Sequence, residues 1–442
     1  MELFDFPKLT NNCRVHLMPD GAVIYMPNMD FGENINESAL NILLLCNGKM
    51  KISEIIAELQ KKYNENYDTV YGFVTTFLQE CELKKYIQIN DASEHKIKIT
   101  GSTEFYSPRS ASIEIYPFCN FNCEHCYVID HIDNNISLTS EIINYLKELS
   151  VVGVNVIQLT GGEPLLHPDF KEIFYNACTF FDEIAITSNG SLIDESLASY
   201  LLDTAQLNSS SVIFQISLDG PKEIHNKVRR KKSAFEETIN GIKMLVKKSI
   251  PVRLAFTINR ENLDYIEETV KIAKELGVGA FEIANTISSG RAKYSDKLIT
   301  NEEELENIAK EIIKIKNKYN DENFFINDWE YKGMDDMHAA NAMPTNCGLG
   351  LNSIAISSNG DVFPCLVHRE KIGSLKGNNI INILNSNKWK NYSKLPAPSF
   401  ELCEGCEKQM FCKSCIGLAS ENAINFNDCK WLPLLTKFIH EN

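Results

Sequence analysis

The sequence has no excess of positive charge. Lys and Arg number 44 against 59 Asp and Glu, for a net charge of −15. A broad nucleic-acid surface needs cationic side chains to displace counterions from phosphates, so that class of partner is excluded, a local basic patch aside. Long hydrophobic runs are also missing. Stretches such as Ile42 to Cys46 fall far short of the roughly 20 residues that span a bilayer, so no membrane segment is expected. The opening Met-Glu-Leu-Phe-Asp is acidic and lacks the pattern of a signal peptide. There is no long repeat and no low-complexity tract. A cytoplasmic protein is therefore expected. At roughly 100–200 residues per domain, 442 residues allow two to four domains.

Cysteine, by contrast, is abundant. The sequence has fourteen, and ten fall into two groups. The first is Cys119, Cys123 and Cys126; the second is Cys347, Cys365, Cys403, Cys406, Cys412, Cys415 and Cys429. In a cytoplasmic chain such clusters indicate metal or redox chemistry rather than disulfides. Cys46 and Cys81 lie on apolar helical faces and read as core residues.

Three zones are legible along the chain. In residues 1–98, Arg14 to Met18 and Ala22 to Met26 flank Pro19-Asp20-Gly21, a hairpin signal. Ala39 to Leu45 and Ile52 to Leu59 read as helices. Val70, Phe73, Val74, Phe77, Leu78 and Cys81 follow the spacing of a third. A polar linker is expected over 91–108. From about 109, strand-like runs at 112–116, 154–159, 183–187, 212–218, 252–257 and 280–284 alternate with helical stretches. Six βα units imply a parallel sheet curved into a partial barrel, an α/β fold whose ligands collect at the C-terminal strand ends. Asn301 to Tyr319 is one long charged helix, and the cysteine-rich remainder is loop-rich. The expected domains are 1–98, 99–315 and 316–442.

Cys119-Asn-Phe-Asn-Cys123-Glu-His-Cys126 follows the first barrel strand. Three thiolates in one loop can hold three corners of a four-iron cluster, leaving one iron open. A zinc site with His125 as fourth ligand is the rival, although His125 adjoins Cys126 too closely for easy tetrahedral chelation. Thr160-Gly161-Gly162-Glu163-Pro164 follows the second strand, Thr187-Ser188-Asn189-Gly190 ends the third, and Ser217-Leu218-Asp219-Gly220 ends the fourth. Arg229 comes shortly after. Each motif alone also makes an ordinary turn.

Together they resemble the radical SAM superfamily, whose hallmark is CxxxCxxC after the first strand of a partial (β/α)6 TIM-like barrel. The resemblance implies that S-adenosylmethionine chelates the open iron. It implies that Glu163 accepts from the cofactor's amine while Gly162 lets the backbone approach. Ser217, Asp219 and Asn189 would serve the ribose or its loop, Arg229 would pair with the carboxylate, and His125 would lie near the adenine. The implied reaction is reductive cleavage of the sulfonium and abstraction of a substrate hydrogen. His225 and the basic run Arg229 to Lys232 need no nucleic-acid partner.

The second cysteine group resembles the SPASM domain, which carries two auxiliary four-iron clusters, for three [4Fe-4S] clusters in all. The resemblance assigns Cys403, Cys406, Cys412 and Cys429 to the distal cluster and Cys347, Cys365 and Cys415 to the nearer one. The two-residue gap between Cys412 and Cys415 departs from the usual three. No fourth thiolate for the nearer cluster precedes Cys347 within forty residues, so an open iron there could bind a substrate sulfur. The paired CxxC motifs alone also fit a zinc knuckle. Sulfatase-maturing relatives carry an acidic residue where this chain has Leu366.

The front zone resembles a RiPP recognition element. Such a module binds a precursor's leader by adding it as a strand to an exposed edge, here expected near Val23 to Met26 and the helix beginning at Val70. The three-part order resembles thioether-forming peptide maturases of the sactipeptide and ranthipeptide type. The partners implied are a ribosomal precursor peptide and an electron donor such as flavodoxin or ferredoxin. Carbon–carbon linkage or epimerisation is the alternative chemistry, with Cys178 as a conceivable hydrogen donor. A zinc-binding recognition protein without catalysis is the alternative of another class.

Overall fold

The computed structural model describes residues 2–26, 32–89, 97–128, 135–295, 297–327, 349–396, 398, 402–406, 416–417, 419–420 and 429–439. They form two compact units, 1–109 with Val152–Val154, and 110–151 with 155–442. Cys347, Cys412 and Cys415 lie outside the described residues.

In the first unit β1 (Pro7–Leu9) precedes a hairpin of β2 (Arg14–Met18) and β3 (Gly21–Tyr25). Next come β4 (Glu33–Ile35), helices α1 (Glu37–Leu45), α2 (Ile52–Tyr63) and α3 (Tyr67–Leu83), then β5 (Ile87–Ile89) and β6 (Ile99–Gly101). Side-chain caps set the helix starts. Asn36 accepts from the Ala39 amide and Asn66 from the Thr69 amide, each at 2.9 Å. α2 buries Ile52, Ile55, Ile56 and Leu59, and α3 buries Val70, Val74, Leu78 and Cys81 of its predicted stripe, with Phe77 partly buried and Phe73 turned out to solvent at 71% exposed. Cys13, Cys46 and Cys81 belong to this core, and burial pushes the Cys13 and Cys81 thiols up to about 12.

One expectation is corrected here. The sheet order is β4-β3-β2-β6, so the β3 edge is already occupied. Ala22, Val23 and Ile24 pair with Ile35, Asn34 and Glu33. The outer edge on that side is β4, and Glu33 on it is tied to Lys84 and Tyr86 at the end of α3.

The second unit alternates strand and helix. In order they are β7 (Ser110–Tyr116), α4 (Thr139–Val151), β8 (Val156–Gly161), α5 (Phe170–Phe180), β9 (Glu183–Ser188), α6 (Glu195–Leu207), β10 (Ser211–Ser217), α7 (Lys222–Val228), α8 (Ala234–Lys247), β11 (Val252–Ile258), α9 (Ile266–Leu276) and β12 (Ala280–Asn285). All six strands pair in parallel, the curved partial barrel the alternation predicts. Asn301 caps α10 (Glu302–Tyr319), and β13 (Phe325–Asn327) extends the sheet beyond β12. On the other edge β14 (Ser353–Ile356) joins β7 in parallel, followed by antiparallel β15 (Asp361–Phe363) and β16 (Gly373–Ser374). Helices α11 (Ile380–Asn385), α12 (Asn387–Lys394) and α13 (Leu432–Ile439) follow. Among the described residues no helix is long and apolar enough to cross a membrane.

Strand periodicity explains why the barrel has an interior space. Successive side chains point to opposite faces. Ile157, Leu159, Phe214, Ile216, Leu254 and Phe256 form a fully buried apolar set, at most 1% exposed. The alternating positions are small or polar: Gln158, Thr160, Thr187, Gln215, Ser217, Ala255 and Thr257. A closed (β/α)8 barrel fills its middle with branched apolar residues. Here the inner positions line a cavity, and neighbours hydrogen-bond across strands, Ser112 to Gln158 at 2.6 Å and Gln158 to Thr187 at 2.7 Å.

Candidate active site at the strand ends

The loop after β7 is placed by the loop after β8. The β7–β8 register shifts between Glu114 and Tyr116, a bulge immediately before the cysteine loop. Gly162 and Glu163 donate their amides to the Tyr116 and Phe118 carbonyls at 2.8 and 2.9 Å. A Cβ on Gly161 would meet the Tyr116 oxygen at 2.3 Å, and one on Gly162 the Phe118 oxygen at 2.4 Å. The close approach that requires these glycines is thus between two loops of the protein itself.

Cys119, Cys123 and Cys126 line one cavity of about 780 Å³ with Gly162, Asn189, Ser217, His125 and Arg229. Cys119 is the most open of the three and Cys123 is buried. Burial pushes the Cys119 thiol up to about 11 and raises that of Cys123 as well. Arg229 opposes this at Cys123, its Nη1 lying 3.4 Å from the sulfur. Asn189 donates to the Asn120 side chain at 2.8 Å, bracing the cysteine loop against β9.

Glu163 and Asp219 stand behind the cavity wall, both fully buried. Glu163 accepts from Ser188 Oγ at 2.9 Å and from the Asn189 and Leu165 amides at 2.8 and 3.1 Å. Burial outweighs these donors and pushes its carboxyl up to about 7. Asp219 Oδ2 pairs with Arg229 Nη2 at 2.6 Å, and Oδ1 accepts from the Thr257 amide at 3.1 Å. Burial pushes the Asp219 carboxyl up, but Arg229, His125 and His225 outweigh it and hold it below its ordinary value. His125 and His225 are held neutral by burial, at about 4 and about 3.

Some residues of this constellation have no signal in the motifs. His225 Nδ1 accepts from the Asp219 amide at 3.1 Å, which orders the strand-end turn. Asn262 donates to the Asp219 carbonyl at 3.1 Å. Arg291, after β12, holds the cysteine loop through the Cys123 carbonyl at 2.8 Å and lines the cavity. From the far end of the chain, Leu366 and Val367 also line it, directly after Cys365. Cys178 does not line it: it is buried in α5, with its thiol pushed up to about 12. Farther along, Cys403 and Cys406 share a turn, the Cys406 amide donating to the Cys403 carbonyl at 2.9 Å.

The donor set fits an iron–sulfur cluster with an organic ligand. Among the described residues no three His, Cys, Asp or Glu side chains gather around a position for a single ion. Three thiols instead share a cavity of the size that small-molecule sites have. Among the described residues, His125 Nδ1 and Arg229 Nε are buried at its wall without hydrogen-bond partners. A buried polar group left unpaired is costly, so both are places where a bound polar molecule would be compensated.

A partial barrel with three thiols lining its strand-end cavity is the arrangement of a radical SAM domain. The radical SAM superfamily model matches residues 113–273, so the chain carries a radical SAM domain. An iron–sulfur cluster-binding SPASM domain matches 347–407, and the coenzyme PQQ synthesis protein D (PqqD) family matches 21–87, within the front unit. The front unit is thus the RiPP recognition element that its hairpin and helices suggest.

Among curated relatives, the antilisterial bacteriocin subtilosin biosynthesis protein AlbA of Bacillus subtilis is 27% identical, with 96% of each chain covered. The sporulation killing factor maturation protein SkfB of the same organism is 29% identical, over 86% of this chain and 88% of that one. Of solved structures, Streptococcus suis SuiB bound to S-adenosylmethionine superposes with a TM-score of 0.65 at 15% identity, covering 95% and 97% of the two chains. The structure of anSMEcpe with bound AdoMet gives 0.58 at 18% identity, over 75% and 95%. Both likenesses establish the fold.

Proposed function

We propose that this protein is a peptide maturase that joins a cysteine sulfur of a ribosomally made precursor to a carbon of another residue, forming a thioether. One observation carries the reading: the segment after Cys365 enters the cavity lined by Cys119, Cys123 and Cys126. A sulfur held near Cys365 would face the place where a substrate hydrogen is removed. The order of front unit, barrel and SPASM domain supports it, since AlbA, named for subtilosin biosynthesis, aligns with this chain over 96% of its length.

Bound at the cavity, S-adenosylmethionine and a reduced cluster supply one-electron cleavage of a sulfonium bond and abstraction of a hydrogen atom from substrate. The residues of this chain do the rest. Cys119, Cys123 and Cys126 hold the cluster and leave one iron free. Gly161, Gly162 and Glu163 fix the loop beside it, and Glu163, behind the cavity wall, would accept from the cofactor's amine. Ser217, with Asp219 behind it, and Asn189 serve the ribose end. Arg229 offers its unpaired Nε to the carboxylate, and His125 borders the adenine. Cys347, Cys365 and Cys415 hold the nearer auxiliary cluster, and Cys403, Cys406, Cys412 and Cys429 the distal one, for three in all. The protein acts as an oxidoreductase in the cytoplasm and draws electrons from a flavodoxin or ferredoxin. Residues 1–98 bind the precursor's leader along β4, 99–315 catalyse, and 316–442 carry the auxiliary clusters.

The apolar side chains of Leu366 and Val367 support thioether formation over sulfatase-type maturation, where an acidic residue stands at the first position. The buried place of Cys178 speaks against a hydrogen-donating role. The test is a precursor with each sulfur-donating cysteine replaced by serine. Loss of the two-hydrogen mass change at each replaced site supports the reading, and an unchanged mass shift refutes it.

A further inference from the structure

Arg369 lies four residues after Cys365 and is nearly buried, its side chain 9% exposed. Its guanidinium makes three hydrogen bonds to two residues. Nη1 donates to Glu114 Oε2 at 3.2 Å and Nη2 to Oε1, a two-pronged pair with a carboxylate that is itself 4% exposed. Nε donates back to the Leu366 carbonyl at 3.1 Å, closing a tight loop. The guanidinium carbon also stacks over Tyr127 at 5.7 Å and Phe363 at 5.6 Å. Within the same loop the His368 amide donates to Cys365 Sγ at 3.1 Å.

These contacts join elements 255 positions apart in sequence. Glu114 is on β7 at the bulge that leads into the cysteine loop, and Tyr127 directly follows Cys126. A buried ion pair is a poor way to gain stability, since desolvation cancels most of the attraction. It does specify geometry: a planar fork matches a carboxylate in one orientation, and apolar packing would allow several.

We propose that Arg369 is a positioning residue that locks segment 365–369 to β7, so that Leu366 and Val367 form the cavity wall and Cys365 is held directly behind it. Its consequence for the reaction rests on the function proposed above. The clamp would keep a substrate sulfur in register with the carbon from which hydrogen is taken. Without it, cofactor cleavage would continue but fewer cleavage events would end in a cross-link.

The test uses full-length protein carrying Arg369→Gln, Arg369→Lys, Glu114→Gln and the double replacement Glu114→Gln/Arg369→Gln. Hydrogen exchange of a peptide covering 363–369 is measured on the reconstituted protein without S-adenosylmethionine or precursor, so this readout is independent of activity. Exchange in Arg369→Gln should be at least tenfold faster. Arg369→Lys should fall between, because one ammonium cannot hold both carboxylate oxygens and the Leu366 carbonyl. The double variant should be no faster than the worse single one. With S-adenosylmethionine and precursor added, cross-links per 5′-deoxyadenosine should drop at least tenfold in Arg369→Gln, with 5′-deoxyadenosine formation within about twofold of the parent.

Parent-like exchange in Arg369→Gln overturns the proposal. So does an equal loss of 5′-deoxyadenosine and cross-links, which would make Arg369 a support of the whole barrel. Should Arg369→Gln fail to fold, parent-like exchange in Arg369→Lys and Glu114→Gln overturns it equally. If the parent cleaves its cofactor but makes no thioether while the exchange ordering holds, the proposed function fails and the clamp stands.

Discussion

The Asp219–Arg229 pair permits a quantitative test of the buried cluster. Replacing Asp219 by Asn keeps the shape of the side chain and the acceptor for the Thr257 amide. It removes the negative charge beside a guanidinium whose side chain is 8% exposed. The neighbouring imidazoles cannot compensate, because burial holds both neutral. Leaving one member of a buried pair uncompensated costs about 3–5 kcal/mol. For a unit of this size, with an unfolding entropy of about 2.1 cal/mol/K per residue, about 1.4 °C is lost per kcal/mol, so the melting temperature should drop by about 4–7 °C.

Calorimetry of full-length reconstituted protein reads the shift. Asp219→Asn/Arg229→Met restores a neutral, filled site and should be no less stable than Asp219→Asn alone. The pH dependence has two windows. His125 and His225 have depressed values, so stability falls as pH drops below about 6.5, where the unfolded imidazoles take protons. The Asp219 contribution is full above 3.8 and is lost as pH falls through its depressed value. A shift under about 1 °C for Asp219→Asn, or additive losses in the double variant, would refute this reasoning.

Three further outcomes are expected. Gly162→Ala places a Cβ 2.4 Å from the Phe118 oxygen and 2.7 Å from that of Pro117, and should cost about 1–3 kcal/mol of stability while weakening S-adenosylmethionine binding, read by titration calorimetry. Unchanged affinity would show that the loop contact does not matter for the cofactor. Cys178→Ala should lower stability by about 1 kcal/mol and leave product per turnover within twofold, whereas a selective loss of product would return Cys178 to the chemistry. Leader peptide should protect the amides of Glu33–Ile35 from exchange and leave those of Ile99–Gly101 unchanged; the opposite pattern would place the leader on the other sheet edge.

Much of this arrangement is legible in the sequence because the chemistry sits at strand ends. Cys119 to Cys126, Gly161 to Glu163, Asn189 and Ser217 each follow an alternating apolar run, and a parallel sheet brings such positions to one end. Partners set by tertiary contact leave no local pattern. Glu163 reads as a cofactor ligand, yet its neighbours are Ser188 and Asn189 from the next strand. The glycines before it answer to the Tyr116 and Phe118 carbonyls. Strands β1, β4, β5 and β6 have three residues each, too few for a periodicity, and it is β4 that covers the edge expected to be free. Arg369 and Glu114 are linked by the fold alone.

The most direct measurement is the mass of a cysteine-containing precursor after anaerobic incubation with the reconstituted protein, S-adenosylmethionine and a reductant, recorded with and without thiol alkylation. A thioether maturase removes two hydrogens per link and one alkylatable cysteine with each pair. Two hydrogens lost with every cysteine still alkylated would contradict the account and point to a carbon–carbon bond.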